Sequence, residues 1–241
     1  MECDENLYPR VPTCLSMEDR ERGKEAAARA SLQYIEDGSV VGLGTGSTVA
    51  YLLPLLGKAI KGGLDLIGIP TSKQVERAAA DLGIPLSTLD EHPQLDVDVD
   101  GADEVAKFDL IKGGGGALLR EKIVAAASRE VVIVVDQSKL VETLGETMAL
   151  PVEVLPFGWN VTSKSLARLG CSPTLRLSGS RPYRTDNGNF IIDCSFGPIE
   201  NPAHLEQEVW EIPGVLEHGL FLQMADVVLV GSDSGVTPLA R

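Results

Sequence analysis

The chain has 241 residues, 44% of them hydrophobic and 23% charged, enough to bury a sizeable core as one domain or as two unequal ones. A formal net charge of −14 opposes any general affinity for nucleic acid, whose phosphates most of the surface would repel. The unbroken apolar runs, such as Val131 to Val135, are far too short to span a bilayer, so no membrane-spanning helix is expected.

Residues 1–17 are acidic and polar, without the apolar stretch of a secretory signal and too rich in acid for a transit peptide, and are expected to form a loosely ordered extension. Lys24 to Glu36 reads as a helix stopped at Asp37-Gly38. Ser39 to Leu43 is a short buried strand that runs into Gly44-Thr45-Gly46-Ser47-Thr48, and Val49 to Ile60 is a helix whose Pro54 should kink it or mark its first turn. Strand, glycine-and-hydroxyl loop, then helix N-terminus suits a phosphate: the backbone can approach closely, hydroxyls donate, and the helix end favours negative charge. A tight turn capped by Ser or Thr explains the same residues without a ligand, and the pattern is neither a P-loop nor a full GxGxxG.

Leu64 to Ile69 is the next strand, Ser72 to Leu82 a helix, Leu95 to Val99 a strand, Ala117 to Ser128 a helix and Val131 to Val135 a strand. Strands separated by helices of this length imply a parallel sheet with helices on both faces, and such sheets bind ligands beyond the carboxyl ends of their strands. GTGST, the DGAD of residues 100–103 and the segment after Asp136 all follow strand ends. Between Asp96 and Lys122, carboxylates and lysines surround four consecutive glycines, Gly113 to Gly116, placed before a helix-forming run. The alternation there puts Asp96 on a polar strand face, and Asp98 either on that face or near the site as support.

After Leu150 the texture changes. Strands at Pro151 to Leu155, Thr174 to Leu177, Phe190 to Asp193 and Gly214 to Leu222, with helices at Trp159 to Leu169 and Pro202 to Trp210, give the β-α-β-β-α-β order of a ferredoxin-like unit. Ala225 to Val230 is expected to rejoin the first sheet. The expected fold is α/β, a parallel-sheet domain of residues 18–148 plus 226–241 with a smaller ferredoxin-like α+β domain, 149–225, inserted near the C-terminus. Cys3, Cys14, Cys171 and Cys194 form no CxxC and fit reduced thiols in a cytosolic setting. His92, His204 and His218 lie far apart, the last two expected on the small domain's surface, and no metal site is expected.

Taken together, GLGTGST at 42–48, VDGADE at 99–104, KGGGGALLREKI at 112–123 and DQSK at 136–139 resemble ribose-5-phosphate isomerase of the A type, a likeness that runs from about Lys24 through TDNGN at 185–189 to the end. The resemblance implies a Rossmann-like α/β domain with a smaller α+β domain. It also implies a cytoplasmic enzyme interconverting D-ribose 5-phosphate and D-ribulose 5-phosphate in the pentose phosphate pathway, without metal or organic cofactor. By motif, Glu121 corresponds to the catalytic base, Asp100 to the group that assists ring opening and shuttles protons, Asp103 to a group orienting hydroxyls, and Lys112 to the cation that stabilises an enediolate, aided by the amides of Gly113, Gly114 and Gly115. Thr45, Gly46, Ser47 and Thr48 match the loop against the substrate, Gly101 and Ala102 lie in the DGAD turn beside it, and Lys24 and Lys139 are further cations for phosphate or sugar. The partners implied are a phosphosugar and further copies of the chain, as homodimer or homotetramer, with no nucleic acid and no membrane. Between Asp103 and Lys112 the chain is one residue shorter than in some members, and four glycines stand where some have three and an alanine.

Two other classes use related features. A phosphosugar-sensing module of a transcription regulator would bring a basic helix-turn-helix, for which there is no spare segment. A coenzyme A transferase-like enzyme could use glycine-rich loops and one glutamate, but would leave Asp100, Asp103 and Lys112 without a task.

Overall fold

The computed structural model describes residues 15–241, so most of the expected N-terminal extension, with Cys3 and Cys14, lies outside the described residues. The first helix, α1 (Met17–Ser31), starts well before Lys24. Ser16 caps it: its hydroxyl accepts from Asp19 N at 3.1 Å, while the Asp19 carboxylate accepts from Ser16 N at 3.3 Å. A single 3-10 turn at Leu32–Tyr34 follows.

The chain then lays down β1 (Ser39–Leu43), α2 (Val49–Lys61), β2 (Leu66–Pro70), α3 (Lys73–Asp81) and β3 (Leu95–Asp100). Pro54 lies inside α2, which continues past it to Lys61. Two short strands, β4 (Glu104–Ala106) and β5 (Asp109–Ile111), precede α4 (Leu118–Ala127) and β6 (Ser128–Asp136). Beyond come β7 (Leu150–Val154), α5 (Trp159–Ala167), β8 (Ser172–Leu175), the small hairpin of β9 (Leu177–Ser178) and β10 (Arg181–Pro182), β11 (Phe190–Ser195), α6 (Pro202–Trp210), β12 (Val215–His218), β13 (Leu220–Phe221), β14 (Val227–Ser232) and β15 (Gly235–Ala240).

The main sheet has the order β15-β14-β6-β3-β1-β2, parallel throughout except for β15, an edge strand that pairs antiparallel with β14. On β6, Val132 and Val134 pack with Ala27 and Ala28 of α1 and Leu52 and Leu56 of α2, whereas Val131, Ile133 and Val135 pack with Leu118 and Ala125 of α4. Because both faces are covered, an uninterrupted valine-isoleucine run is the sequence this position requires. The same fact bears on Asp98, expected either on a polar face or near the site as support. Strand β3 is central, Asp98 registers with Val131 and Asp100 with Ile133, so both acids point at the α4 layer and both are 1% exposed. Asp96, nearer the strand's start, stays partly exposed and pairs with Arg129 at 3.1 Å.

A second sheet, β12-β7-β11-β8, is antiparallel at every pairing and carries α5 and α6. A third, β13-β5-β4, joins the two. The single strand expected from Gly214 to Leu222 is split at Gly219: residues before it pair with β7 and residues after it with β5. Gly219 N donates to Pro151 O and Gly219 O accepts from Lys112 N, and a Cβ there would sit 2.3 Å from Lys112 O, so only glycine fits this crossing. His218 beside it is fully buried, not on the surface as expected. Burial, then the nearby Lys122 ammonium, push its pKa down to about 3, so the ring is neutral.

Candidate active site

In the parallel part of the main sheet, β1 continues to β2 on one side while β3 and β6 lie on the other, so the winding reverses between β1 and β3. Loops at such a reversal diverge and leave a crevice at the strands' carboxyl ends. The loop after β1 (residues 44–48) and the loop after β3 (101–103) flank it, and the glycine turn before α4 closes the third side. The crevice encloses about 440 Å³ including its open mouth.

Gly44 is dictated by this arrangement, since a Cβ there would stand 2.1 Å from Asp100 Oδ1. With the backbone so close, Asp100 Oδ1 accepts from Thr45 N at 3.1 Å and Gly101 N at 2.7 Å, while Oδ2 pairs with Lys112 Nζ at 3.0 Å. Lys112 also donates to Gly101 O and lies 3.6 Å from Glu121 Oε1. Burial alone would pull the lysine's pKa down, but the carboxylates of Asp100 and Glu121 outweigh it and hold the group charged.

Glu121 is 3% exposed, in the first turn of α4, and its Oε2 has no hydrogen-bond partner. Burial raises its pKa well above the ordinary glutamate value against the opposing pull of Lys112, with Asp100, Asp103 and Asp98 adding repulsion. Asp98 lies behind the cluster, both carboxylate oxygens unpartnered, and burial followed by the Asp100 charge raises its pKa well above the ordinary aspartate value. Asp103 borders the crevice, its Oδ2 accepting from Gly114 N at 2.6 Å.

A family model described as ribose 5-phosphate isomerase A (phosphoriboisomerase A) matches residues 67–235. The chain belongs to the ribose-5-phosphate isomerase A family. The ribose-5-phosphate isomerase A of Gloeobacter violaceus is 51% identical over 218 residues, covering 90% of this chain and 95% of that protein. That of Thermomicrobium roseum is 48% identical over 224 residues, covering 92% and 94%. Among solved structures, ribose 5-phosphate isomerase A from Methanocaldococcus jannaschii is 44% identical with a TM-score of 0.86, covering 90% of this chain and 98% of its own. A D-ribose-5-phosphate isomerase in complex with phospho-erythronic acid is 43% identical with a TM-score of 0.90, covering 92% and 100%.

For a ribose-5-phosphate isomerase A chain, the residues expected from sequence fall into three groups. Thr45, Gly46, Ser47, Thr48, Gly101, Ala102, Asp103, Lys112, Gly113, Gly115, Glu121 and Lys139 all line the crevice. Asp100 and Gly114 stand one layer behind, the first bonded to Lys112 and the second to Asp103. Lys24 is not brought to the crevice wall: it is on α1, bonded at 2.7 Å to Glu21, which also accepts from Tyr51. Sequence reasoning missed Thr71 and Ser72, whose hydroxyls lie 2.7 and 2.8 Å from Thr45 Oγ1 and fix its rotamer. The signal was present, since Thr71-Ser72 follows the carboxyl end of β2 just as the other loops follow theirs.

Proposed function

We propose that this chain, as a ribose-5-phosphate isomerase A, interconverts D-ribose 5-phosphate and D-ribulose 5-phosphate through an enediolate, with Glu121 carrying the proton. The observation that supports it most is the Glu121 carboxylate: buried, bordering the crevice, one oxygen beside a lysine and the other with no partner. Glu121 takes the proton from C2 of the open-chain aldose; the C2–H electrons form the C1=C2 bond and the carbonyl electrons settle on O1. Lys112 and amides of the glycine turn stabilise that charge, in place before it develops. The proton then returns to C1 while the O2 proton moves to O1, leaving the ketose. One carboxylate suffices because both carbons lie on the same face of the planar intermediate.

Phosphate is placed at the N-terminus of α2, where Gly46, Ser47 and Thr48 meet Lys139 across the crevice. Asp103 borders the site and orients sugar hydroxyls, whereas Asp100, its oxygens already engaged, assists ring opening and proton shuttling through Lys112. Phospho-erythronic acid, carried by the solved relative, fits this reading because its carboxylate presents negative charge where an enediolate would.

The same reading includes a division into a catalytic domain, 18–148 with 226–241, and a small domain, 149–225, which the return of β14 to the main sheet supports. It includes a cytoplasmic setting, consistent with the free thiols of Cys171 and Cys194, and a homodimer or homotetramer, for which the exposed Phe157 and Val161 beside α5 are a candidate contact. Ketose formation from ribose 5-phosphate, followed with a chelator present, tests the activity. Sustained turnover is expected, and a folded protein without turnover would overturn the assignment.

A further inference from the structure

The glycine turn that borders the crevice is held from outside by two side chains that flank the β9–β10 hairpin. Arg176 Nη1 donates to Gly113 O at 2.8 Å and to Gly114 O at 3.1 Å, and Tyr183 Oη donates to Gly115 O at 3.1 Å. Three successive carbonyls are thereby taken by two side chains more than sixty residues away in sequence. Those side chains are themselves fixed. Arg176 is locked to Asp193 of β11 by two parallel bonds, Nε to Oδ2 at 3.0 Å and Nη2 to Oδ1. Tyr183 N donates to Arg176 O, and the guanidinium lies 5.9 Å over the tyrosine ring.

A trans peptide is planar, with its C=O and N–H pointing in opposite directions. Holding the carbonyls of Gly113, Gly114 and Gly115 toward Arg176 and Tyr183 therefore turns the N–H groups of Gly114 and Gly115 away from them, while Gly116 N donates within the turn to Gly113 O at 3.0 Å. Gly114 N–H does meet Asp103, on the crevice side, and Gly115 borders the crevice itself. Glycine has little intrinsic preference for one peptide orientation, so a run of four needs an external constraint to keep donors aimed.

We propose that Arg176 and Tyr183 are positioning residues for the isomerisation: by holding the glycine turn they aim the Gly115 amide, whose neighbours Gly114 and Gly116 donate to Asp103 and to Gly113 O, at the charge that develops on the sugar. This rests on the enediolate reading above. It predicts a loss in the chemical step with little loss in phosphate anchoring, because the phosphate end is held by a different loop.

The test uses Arg176→Lys, which keeps the charge but not the forked geometry, Arg176→Met, and Tyr183→Phe, which removes one hydroxyl. For each, kcat and KM for ribose 5-phosphate, inhibition by phospho-erythronic acid, inhibition by inorganic phosphate, and melting temperature are measured. A displaced donor should lower kcat by about tenfold or more, toward the ~10²-fold that an ångström of misplacement can cost. KM should stay within about twofold, phospho-erythronic acid should weaken in step with kcat/KM, and inorganic phosphate should bind as in the wild type. Unchanged kcat in folded Arg176→Lys and Tyr183→Phe would overturn the proposal, as would equal weakening of both inhibitors. Should Arg176→Met not fold, Arg176→Lys and Tyr183→Phe decide. A wild-type protein without turnover would overturn the isomerase reading itself, whereas an active wild type with indifferent variants overturns the clamp.

Discussion

Glu104 and Glu121 are both buried carboxylates, 0% and 3% exposed, yet their surroundings differ in kind. Glu104 accepts from the amides of Gly145, Thr147 and Met148 and from the Thr147 hydroxyl, so the loop after β6 closes around it. Glu121 has a lysine at 3.6 Å on one oxygen and no partner on the other. A carboxylate offers about four acceptor positions, so burial says little by itself. Unfilled acceptor capacity beside a cleft separates a group that can take a proton from one that staples a loop.

The comparison can be broken most decisively at Glu121. Glu121→Gln should lower turnover by the ~10²- to 10⁴-fold typical of a positioned general base, with the melting temperature kept or raised because a desolvated charge is removed. Wild-type turnover in that variant would remove the distinction.

Next comes Lys112→Met, expected to cost roughly 10²- to 10³-fold in kcat by removing charge stabilisation. It should also cost stability, about 3–5 kcal/mol in denaturant unfolding, because Asp100 and Glu121 are left buried without their cation. An active, stable Lys112→Met protein would show that the ion pairs serve neither purpose. Glu104→Gln should give the converse signature, a loss of roughly 1–3 kcal/mol in stability with kcat nearly unchanged. A fall in kcat at full stability would place Glu104 in the chemistry.

The smallest effect is expected at Asp98. Burial, then repulsion from Asp100, raise its pKa well above 3.8, with Lys112 opposing. A raised carboxylate pKa means the folded state binds the proton more tightly. The group's contribution is therefore fully present below the unfolded value and is lost as pH rises from there toward the folded value. Asp98→Asn does not titrate, so its stability relative to wild type should climb over that window and then level. A relative stability that falls with rising pH would mean Asp98 is ionised in the fold.

The stretch from β1 to α2, the acid-rich β3 and the glycine turn before α4 were legible because each combines strong periodicity with local turn chemistry. Strands β4 and β5 were not, since three residues carry no period, and β13 was read as the tail of β12 because the change of sheet depends on Gly219 meeting Lys112 and Pro151. The start of α1 was missed because its first two turns are polar all round, although the Ser16–Asp19 capping pair was there to be found. Alternation left Asp98 between a solvated face and a place behind the site, because only the structure shows that α4 covers that face. The Arg176 and Tyr183 clamp had no sequence signal, being created when the residues flanking the β9–β10 hairpin fold against the glycine turn.

The central claim is that one buried carboxylate, ionised at neutral pH, accepts the substrate's proton, and the pH dependence of kcat/KM on folded enzyme, from about pH 4 to about pH 8, tests it most directly. The account predicts an acid limb with its midpoint above the 4.5 of an ordinary glutamate, because burial and the Asp100, Asp103 and Asp98 charges together outweigh Lys112. Activity that stays level down through 4.5 would contradict it.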